Sequence, residues 1–263
     1  RVTAAGIDCG VVMAGCTASD VAVQVASVQT VMAREAHPAA DLLIWDEAHH
    51  TAAASYRVIA AQYPTAYHLG LTATPERADG VGLRDAFDAL VVGATVRELT
   101  DAGLLAECDV VRPAERLRGL AVEPAVAWAE HAEGRPTVAF CGRVAESKAL
   151  AAAIGERAAH IDGETPTRER DAILRRFAEG EIDVLSNVFV LTEGWDSSRA
   201  KCCLLARSCG SLGAYLQMVG RILRPDGLGT RARVIDLAGA VHEHGFPDDE
   251  RAFTLGGIDP QRG

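Results

Sequence analysis

Short apolar runs recur along this chain at intervals that a helix fills, and no other feature limits the fold as strongly. They occupy residues 21–28, 42–45, 67–71, 137–141, 182–188, 201–206 and 232–237. Runs this short, rich in Val, Ile, Leu and aromatic residues, have the length of strands rather than of core helices. Helical periodicity fills residues 51–62, 145–158, 166–179 and 213–224. Strands alternating with helices pair in parallel, because a parallel neighbour needs a crossover of a dozen or more residues. The pattern predicts an α/β protein with parallel sheets, whose ligands gather at the carboxyl ends of the strands.

The rhythm breaks around "VVRPAERLRGLA" (residues 110–121). We therefore expect a first sheet domain over 1–110, a linker over 111–122, a second domain over 123–245 and a turn-rich tail over 246–263. A length of 263 residues is enough for two cores. Residues 1–110 hold 6 Arg/Lys against 14 Asp/Glu, whereas residues 111–233 hold 18 against 16. The net charge of −10 excludes a protein coated in positive field, yet leaves room for a local cationic groove. No apolar run approaches the ~20 residues that cross a bilayer. The amino end "RVTAAGIDCG" has neither the layout of a signal peptide nor a methionine. A cytoplasmic chain, without membrane contact and beginning partway into a longer protein, is the expectation. Seven cysteines include no C-x-x-C pair, so no zinc site is expected.

Four stretches carry chemistry. In "DLLIWDEAHH" an apolar run ends in Asp46 and Glu47. Adjacent acids at a strand tip point different ways. They can divide the work of holding a metal and activating a water, or simply solvate the strand's exit. In "YHLGLTATPER" a second run ends in Thr72 and Thr74, whose hydroxyls can reach toward the acidic loop. In "GAYLQMVGRILRP" the spacing of Gln217, Gly220, Arg221 and Arg224 predicts one helical face that suits a multi-oxygen anion. The plainer alternative is an arginine pair on an amphipathic surface. In "VLSNVFVLTEGWDSS" a buried strand leads to a polar loop holding Asn187, Thr192, Gly194 and Asp196. Such groups can contact a phosphodiester backbone, or form an ordinary Asx turn.

Taken in order, "SVQT", "DEAH", "TAT", "VAFC", "LTEGWDSS" and "QMVGRILRP" resemble the motifs of superfamily 2 DEAD/DEAH-type helicases. The flavour is that of the type III restriction-subunit and RadD-like branch, and the resemblance runs from about residue 20 to 240. It implies two RecA-like parallel-sheet domains in tandem, a P-loop NTPase-type helicase core, with ATP in the cleft between them. Nucleic acid, single-stranded or duplex DNA, is the implied partner, and further subunits or domains of a parent protein are compatible with it. By resemblance Asp46 binds Mg2+ through water, and Glu47 is the base toward the attacking water. His49, Gly194, Asp196 and Gln217 stand at the nucleotide, and Arg221 and Arg224 are the arginine fingers. Thr72 and Thr74 couple hydrolysis to movement. Ser27, Gln29, Thr30, Asn187 and Thr192 stand along the strand.

One motif of the family is missing. A Gly-rich loop ending in Gly-Lys-Thr or Gly-Lys-Ser should precede residue 20, yet the lysines are Lys148 and Lys201, neither preceded by glycine. The expectation is a first domain that lacks its phosphate loop. The leading reading is an ATP-driven helicase or translocase. A non-catalytic nucleic-acid-binding module that keeps the helicase fold is the alternative. A P-loop kinase leaves the arginine helix and the 187–196 loop without a role.

Overall fold

A computed structural model describes residues 6–16, 21–34, 38–51, 53–77, 80–113, 120–192 and 194–258. The chain divides into two compact units. The first comprises Arg1–Arg77, Val81–Leu90 and Thr254–Gly257, and the second Ala78–Gly80, Val91–Phe253 and Ile258–Gly263.

In the first unit, β1 (Cys9–Val12) pairs in parallel with β2 (Val23–Ala26), and β3 (Leu42–Asp46) with β4 (Tyr67–Leu71). Helix α1 (Val28–Ala33) starts at Ser27, whose hydroxyl accepts the Thr30 N–H; α2 spans Ala54–Ala61. Val12, Val31, Trp45, Ala48 and Ile59 form the core, with Leu43, Tyr56 and Phe87 packed around it. The period of two along β3 sends Leu43 and Trp45 inward and turns Leu42 and Ile44 outward, 50% and 58% exposed. Tyr67, Leu69 and Leu71 stand opposite Leu42, Ile44 and Asp46 and are exposed too. The apolar run 42–45 is therefore buried on one side only, and the whole run does not enter the core.

The second unit is built on six parallel strands in the order β5-β10-β9-β6-β8-β7. They are β5 (Cys108–Val111), β6 (Thr137–Cys141), β7 (Ala158–Ile161), β8 (Val184–Asn187), β9 (Cys202–Ala206) and β10 (Ala232–Asp236). The helices are α3 (Val96–Asp101), α4 (Pro124–His131), α5 (Val144–Ile154), α6 (Thr167–Glu179), α7 (Leu212–Gly220) and α8 (Ala240–His244). Successive residues of one strand feed different cores. Val138 and Phe140 pack with Phe177, Tyr215 and Val219, whereas Ala139 and Cys141 pack with Ala127 and Leu150. Coverage on both faces is why these strands read as continuous apolar runs. Each fully buried Leu or Ile contributes about 1.5–3 kcal/mol.

Three expectations change. Residues 91–111 belong to the second unit, because β5 pairs with β10, so the division falls near residue 90 and not at 111–122. Residues 114–119 of the expected linker lie outside the described residues. The expected tail carries two short strands, β11 (Phe253–Thr254) and β12 (Gly257–Ile258), and the Thr254 hydroxyl donates to the Gly257 carbonyl at 2.7 Å. Helix α7 ends at Gly220 with Arg221 as its C-cap, so Arg224 stands beyond the helix that was expected to carry it. Among the described residues, no helix is long and apolar enough to cross a membrane.

A chain of polar contacts runs through the second unit. Cys141 Sγ lies 3.5 Å from Ser186 Oγ, which lies 2.6 Å from Ser147 Oγ. Ser147 in turn meets His160 Nδ1 at 2.6 Å, and His160 Nε2 meets Asp162 Oδ2 at 3.0 Å. The His160 contact holds the Asp162 carboxyl down to about 2; burial pushes against it, and Thr165 and the Glu164 amide add to the lowering. A carboxyl depressed in the folded state stabilises above its unfolded value, near ~4, and loses that contribution as pH falls toward 2. Urea melts between pH 4 and 2 should therefore show a steeper loss for the parent protein than for Asp162→Asn. In the first unit, a Cβ at Gly70 would stand 2.5 Å from Phe87 Cζ and 2.8 Å from Ala48 Cβ. Gly70→Ala should cost about 1–3 kcal/mol in chemical denaturation, with Phe87→Ala partly relieving the clash.

Candidate functional site

Each unit presents its candidate residues at the carboxyl ends of its strands. In the first, β3 stops at Asp46, which is exposed, and Asp46 Oδ1 accepts the Glu47 N–H at 3.1 Å. Glu47 takes a left-handed backbone (φ 51°, ψ 55°), uncommon for a side chain of its size. A 3-10 turn over Ala48–His50 follows and brings His49 back over the acid: His49 Nδ1 is 3.5 Å from Glu47 Oε2 and 3.0 Å from Thr72 Oγ1. Thr72 donates its one proton to the Thr74 carbonyl at 2.9 Å, and its oxygen also accepts the Thr74 N–H at 3.2 Å. With that proton committed, His49 Nδ1 must be the donor to Thr72, which fixes the tautomer of the ring. Glu47, His49, Thr72 and Thr74 form one connected row joining the loops after β3 and β4. Trp45 supports it from behind, donating its indole N–H to His68 Nδ1 at 3.3 Å.

In the second unit, Arg221 draws the 192–196 loop together. Its Nε and Nη2 donate to the Thr192 carbonyl at 3.0 and 2.7 Å, and its Nη1 to the Trp195 carbonyl at 2.5 Å. Gly194, between them, has a positive φ of 71°. Arg224 forms an ion pair with Asp196, so two residues expected at the nucleotide stand beside each other. The Arg224 carbonyl accepts the buried ammonium of Lys201, whose pKa burial pushes down. Gln217 lies half-buried on α7. Glu193 of the loop lies outside the described residues.

The residues expected along a strand divide. Gln29 is exposed and Thr30 half-buried at the start of α1, where Ser27 acts as the cap. Asn187 does not face outward: it is fully buried, its amide N–H donates to the Ala139 carbonyl at 2.9 Å and its Oδ1 accepts the Leu191 N–H at 3.3 Å. It braces the start of the loop from inside the sheet. Sequence reasoning missed Phe189, whose exposed ring and left-handed backbone (φ 59°) the surrounding valines conceal. It missed Arg207 as well, whose guanidinium carbon lies 4.1 Å over that ring.

The donor set fits a magnesium nucleotide in part. Asp46 offers an exposed carboxylate at a strand exit. Among the described residues no three His, Cys, Asp or Glu gather into a metal cage. Mg2+ characteristically takes one or two carboxylates and completes its shell with water and phosphate oxygens. Three hydroxyls, those of Thr74, Thr192 and the core residue Tyr215, are buried with no hydrogen-bond partner among the described residues. Buried polar atoms left unpaired mark places where a ligand or water supplies the missing bond.

Residues 6–77 match the family model for the type III restriction enzyme res subunit, and residues 116–226 the helicase conserved C-terminal domain. A 51.5 kDa protein of Lactococcus phage (isolate 7-9) is 32% identical over 231 residues, 79% of this chain and 51% of the phage protein. The chain belongs to the superfamily 2 helicases. Within them it sits in the type III restriction-like branch. The Saccharomyces cerevisiae protein named "Putative ATP-dependent helicase IRC3" is 28% identical over 264 residues, 86% of this chain and 38% of that protein. The chain thus spans about half or less of the length of these relatives. The fold is shared with S. cerevisiae Dbp5 bound to RNA and ADP BeF3, with a TM-score of 0.63 and 15% identity. That match covers 92% of this chain and 68% of Dbp5.

In this chain Arg221 works as a clamp on its own loop, which gives a direct test. Arg221→Lys keeps the charge but loses the fork that reaches both carbonyls. Amide exchange across residues 192–196 should accelerate about tenfold or more, the equivalent of losing one charged hydrogen bond of roughly 1.5–3 kcal/mol. Unchanged protection would show that the loop holds itself.

Proposed function

We propose that this chain supplies the hydrolytic and coupling residues of an ATP-driven motor that moves on nucleic acid, with DNA as its strand. The observation that carries the reading is the connected row Glu47–His49–Thr72–Thr74. This row links the acid to the loop after β4: His49 Nδ1 lies 3.5 Å from the Glu47 carboxylate and hydrogen-bonds Thr72, which bonds in turn to the Thr74 backbone. Glu47 takes the proton of the attacking water. Asp46 would be the carboxylate that holds Mg2+. Mg2+, when bound, neutralises charge that develops on the transferring phosphate. Arg221 and Arg224 reach the terminal phosphate once they release the Thr192 and Trp195 carbonyls and Asp196, while Gly194, Asp196 and Gln217 serve the nucleoside. Ser27, Gln29, Thr30 and Thr192 line the strand's backbone. Asn187 supports that surface from below. The restriction-type family model over residues 6–77 favours DNA over RNA.

A second reading keeps its own support. The 263 residues contain no Gly-Lys-Thr or Gly-Lys-Ser, and Lys201 is buried against a carbonyl. A nucleic-acid-binding module with an idle acid pair would look the same there. Hydrolysis separates the two. In a polypeptide that joins this chain to a phosphate loop, DNA should stimulate ATP hydrolysis, and Glu47→Gln should lower kcat by roughly 10²–10⁴-fold without changing DNA affinity. Equal rates in both proteins would establish the module. The 263-residue chain by itself should bind ATP weakly and turn over negligibly. Robust DNA-stimulated turnover by it, lost in Glu47→Gln, would overturn the need for a phosphate loop.

A further inference from the structure

Strands β8, β6 and β9 lie side by side in parallel, so their carboxyl ends share one edge. The chain leaves β6 for β7 and β8 on one side and later reaches β9 on the other. Strand order therefore reverses at β6, the position where open α/β sheets bind ligands. One conspicuous side chain follows each exit: Phe189 after β8, Arg143 after β6 and Arg207 after β9. The Phe189 residue is 64% exposed, although a phenyl group gains by burial. Arg207 covers one face of the ring, its guanidinium carbon 4.1 Å from the centroid. The stem of Arg207 stands beside the β6 exit, where a Cβ built on Gly142 would meet the Arg207 Cβ at 3.8 Å. The Arg143 side chain is 83% exposed. Its acidic neighbour Glu146 lies 3.9 Å away, half exposed, and also accepts the Arg143 N–H at 3.1 Å, so a phosphate can take the guanidinium from this weak pair while the carboxylate stays on the backbone.

We propose that Phe189, Arg207 and Arg143 form a stacking platform for one base of single-stranded nucleic acid. The platform rests on the reading that the protein acts on nucleic acid, and it adds a recognition element which that reading does not contain. The open face of the ring takes a base, and every base has a π-face, so the contact tolerates any sequence. Arg207 polarises the ring from behind and, with Arg143, faces the flanking phosphates. In a chain of net charge −10, a cationic spot confined to one edge also orients an approaching strand.

The test uses the 263-residue chain, a labelled oligothymidylate and an abasic strand of the same length, read by fluorescence anisotropy. Phe189→Gly removes the ring and suits the positive φ, so the fold is retained. It should weaken oligothymidylate binding about tenfold and leave abasic binding unchanged. Phe189→Trp should keep the affinity and show indole emission quenched by oligothymidylate but not by the abasic strand. Arg207→Ala should weaken both strands and reduce the salt slope by about 1. If Phe189→Gly binds both strands as the parent does, or loses both equally, the platform is refuted while the nucleic-acid reading stands. If the parent protein binds neither strand, both fall.

Discussion

Parallel pairing is the constraint on which the rest of this molecule depends. It sends every strand of a sheet in one direction, so all loops that leave carboxyl ends emerge on a common edge. Glu47 and Thr72 meet through His49 because β3 and β4 are in parallel register, with Asp46 opposite Leu71. Thr192 and Arg221 meet because the loops after β8 and the helix after β9 leave the same side of one sheet. Had either pair been antiparallel, these residues would stand at opposite ends of a strand, roughly 15 Å apart at ~3.3 Å per residue.

The six-stranded sheet and the β3–β4 pair use the same parallel pairing under different cover. In the second unit, helices pack on both faces, and adjacent strand residues such as Val138 and Ala139 reach separate cores. In the first, Trp45 and Leu43 are covered while Leu42, Ile44, Tyr67 and Leu69 are exposed. An apolar face left in water forfeits about 25 cal/mol per Å² that burial would contribute. The acid pair stands between two core residues of the first unit, Trp45 and Ala48, and is tied to the loop after β4 through His49.

The sequence made the central strands legible because apolar residues dominate "TVAFC", "CCLLA" and "ARVID" and open "VLSN". It concealed β1, where Gly10 interrupts the run, and β7, where Ala158 and Ala159 supply little β preference. It concealed β5 for a different reason: Cys108–Val111 becomes a strand by pairing with β10, far away in the chain, and a window cannot see its partner. The same limit applies to the site. Asp46 and Glu47 were legible as a pair at a strand exit, since adjacency survives folding. The occupation of Asn187 by Ala139, and of Arg224 by Asp196, was not, because a polar side chain's partner is a tertiary fact.

Backbone strain follows the same edge. Glu47 and Phe189 hold left-handed conformations that cost a residue with a side chain roughly 1–2 kcal/mol, and each stands one or two residues beyond a strand. Such a conformation persists only where neighbours over-determine it. At Glu47 the determinants are visible: Asp46 takes its N–H, and His49 returns over its carboxylate. At Phe189 they are the buried Asn187 amide and the Leu191 N–H it holds, which close the turn beneath the ring. Asn187 therefore acts on the outer surface without touching it: by fixing the turn it lifts Phe189 outward, and the cost of an exposed ring and a strained backbone is met by hydrogen bonds inside the sheet.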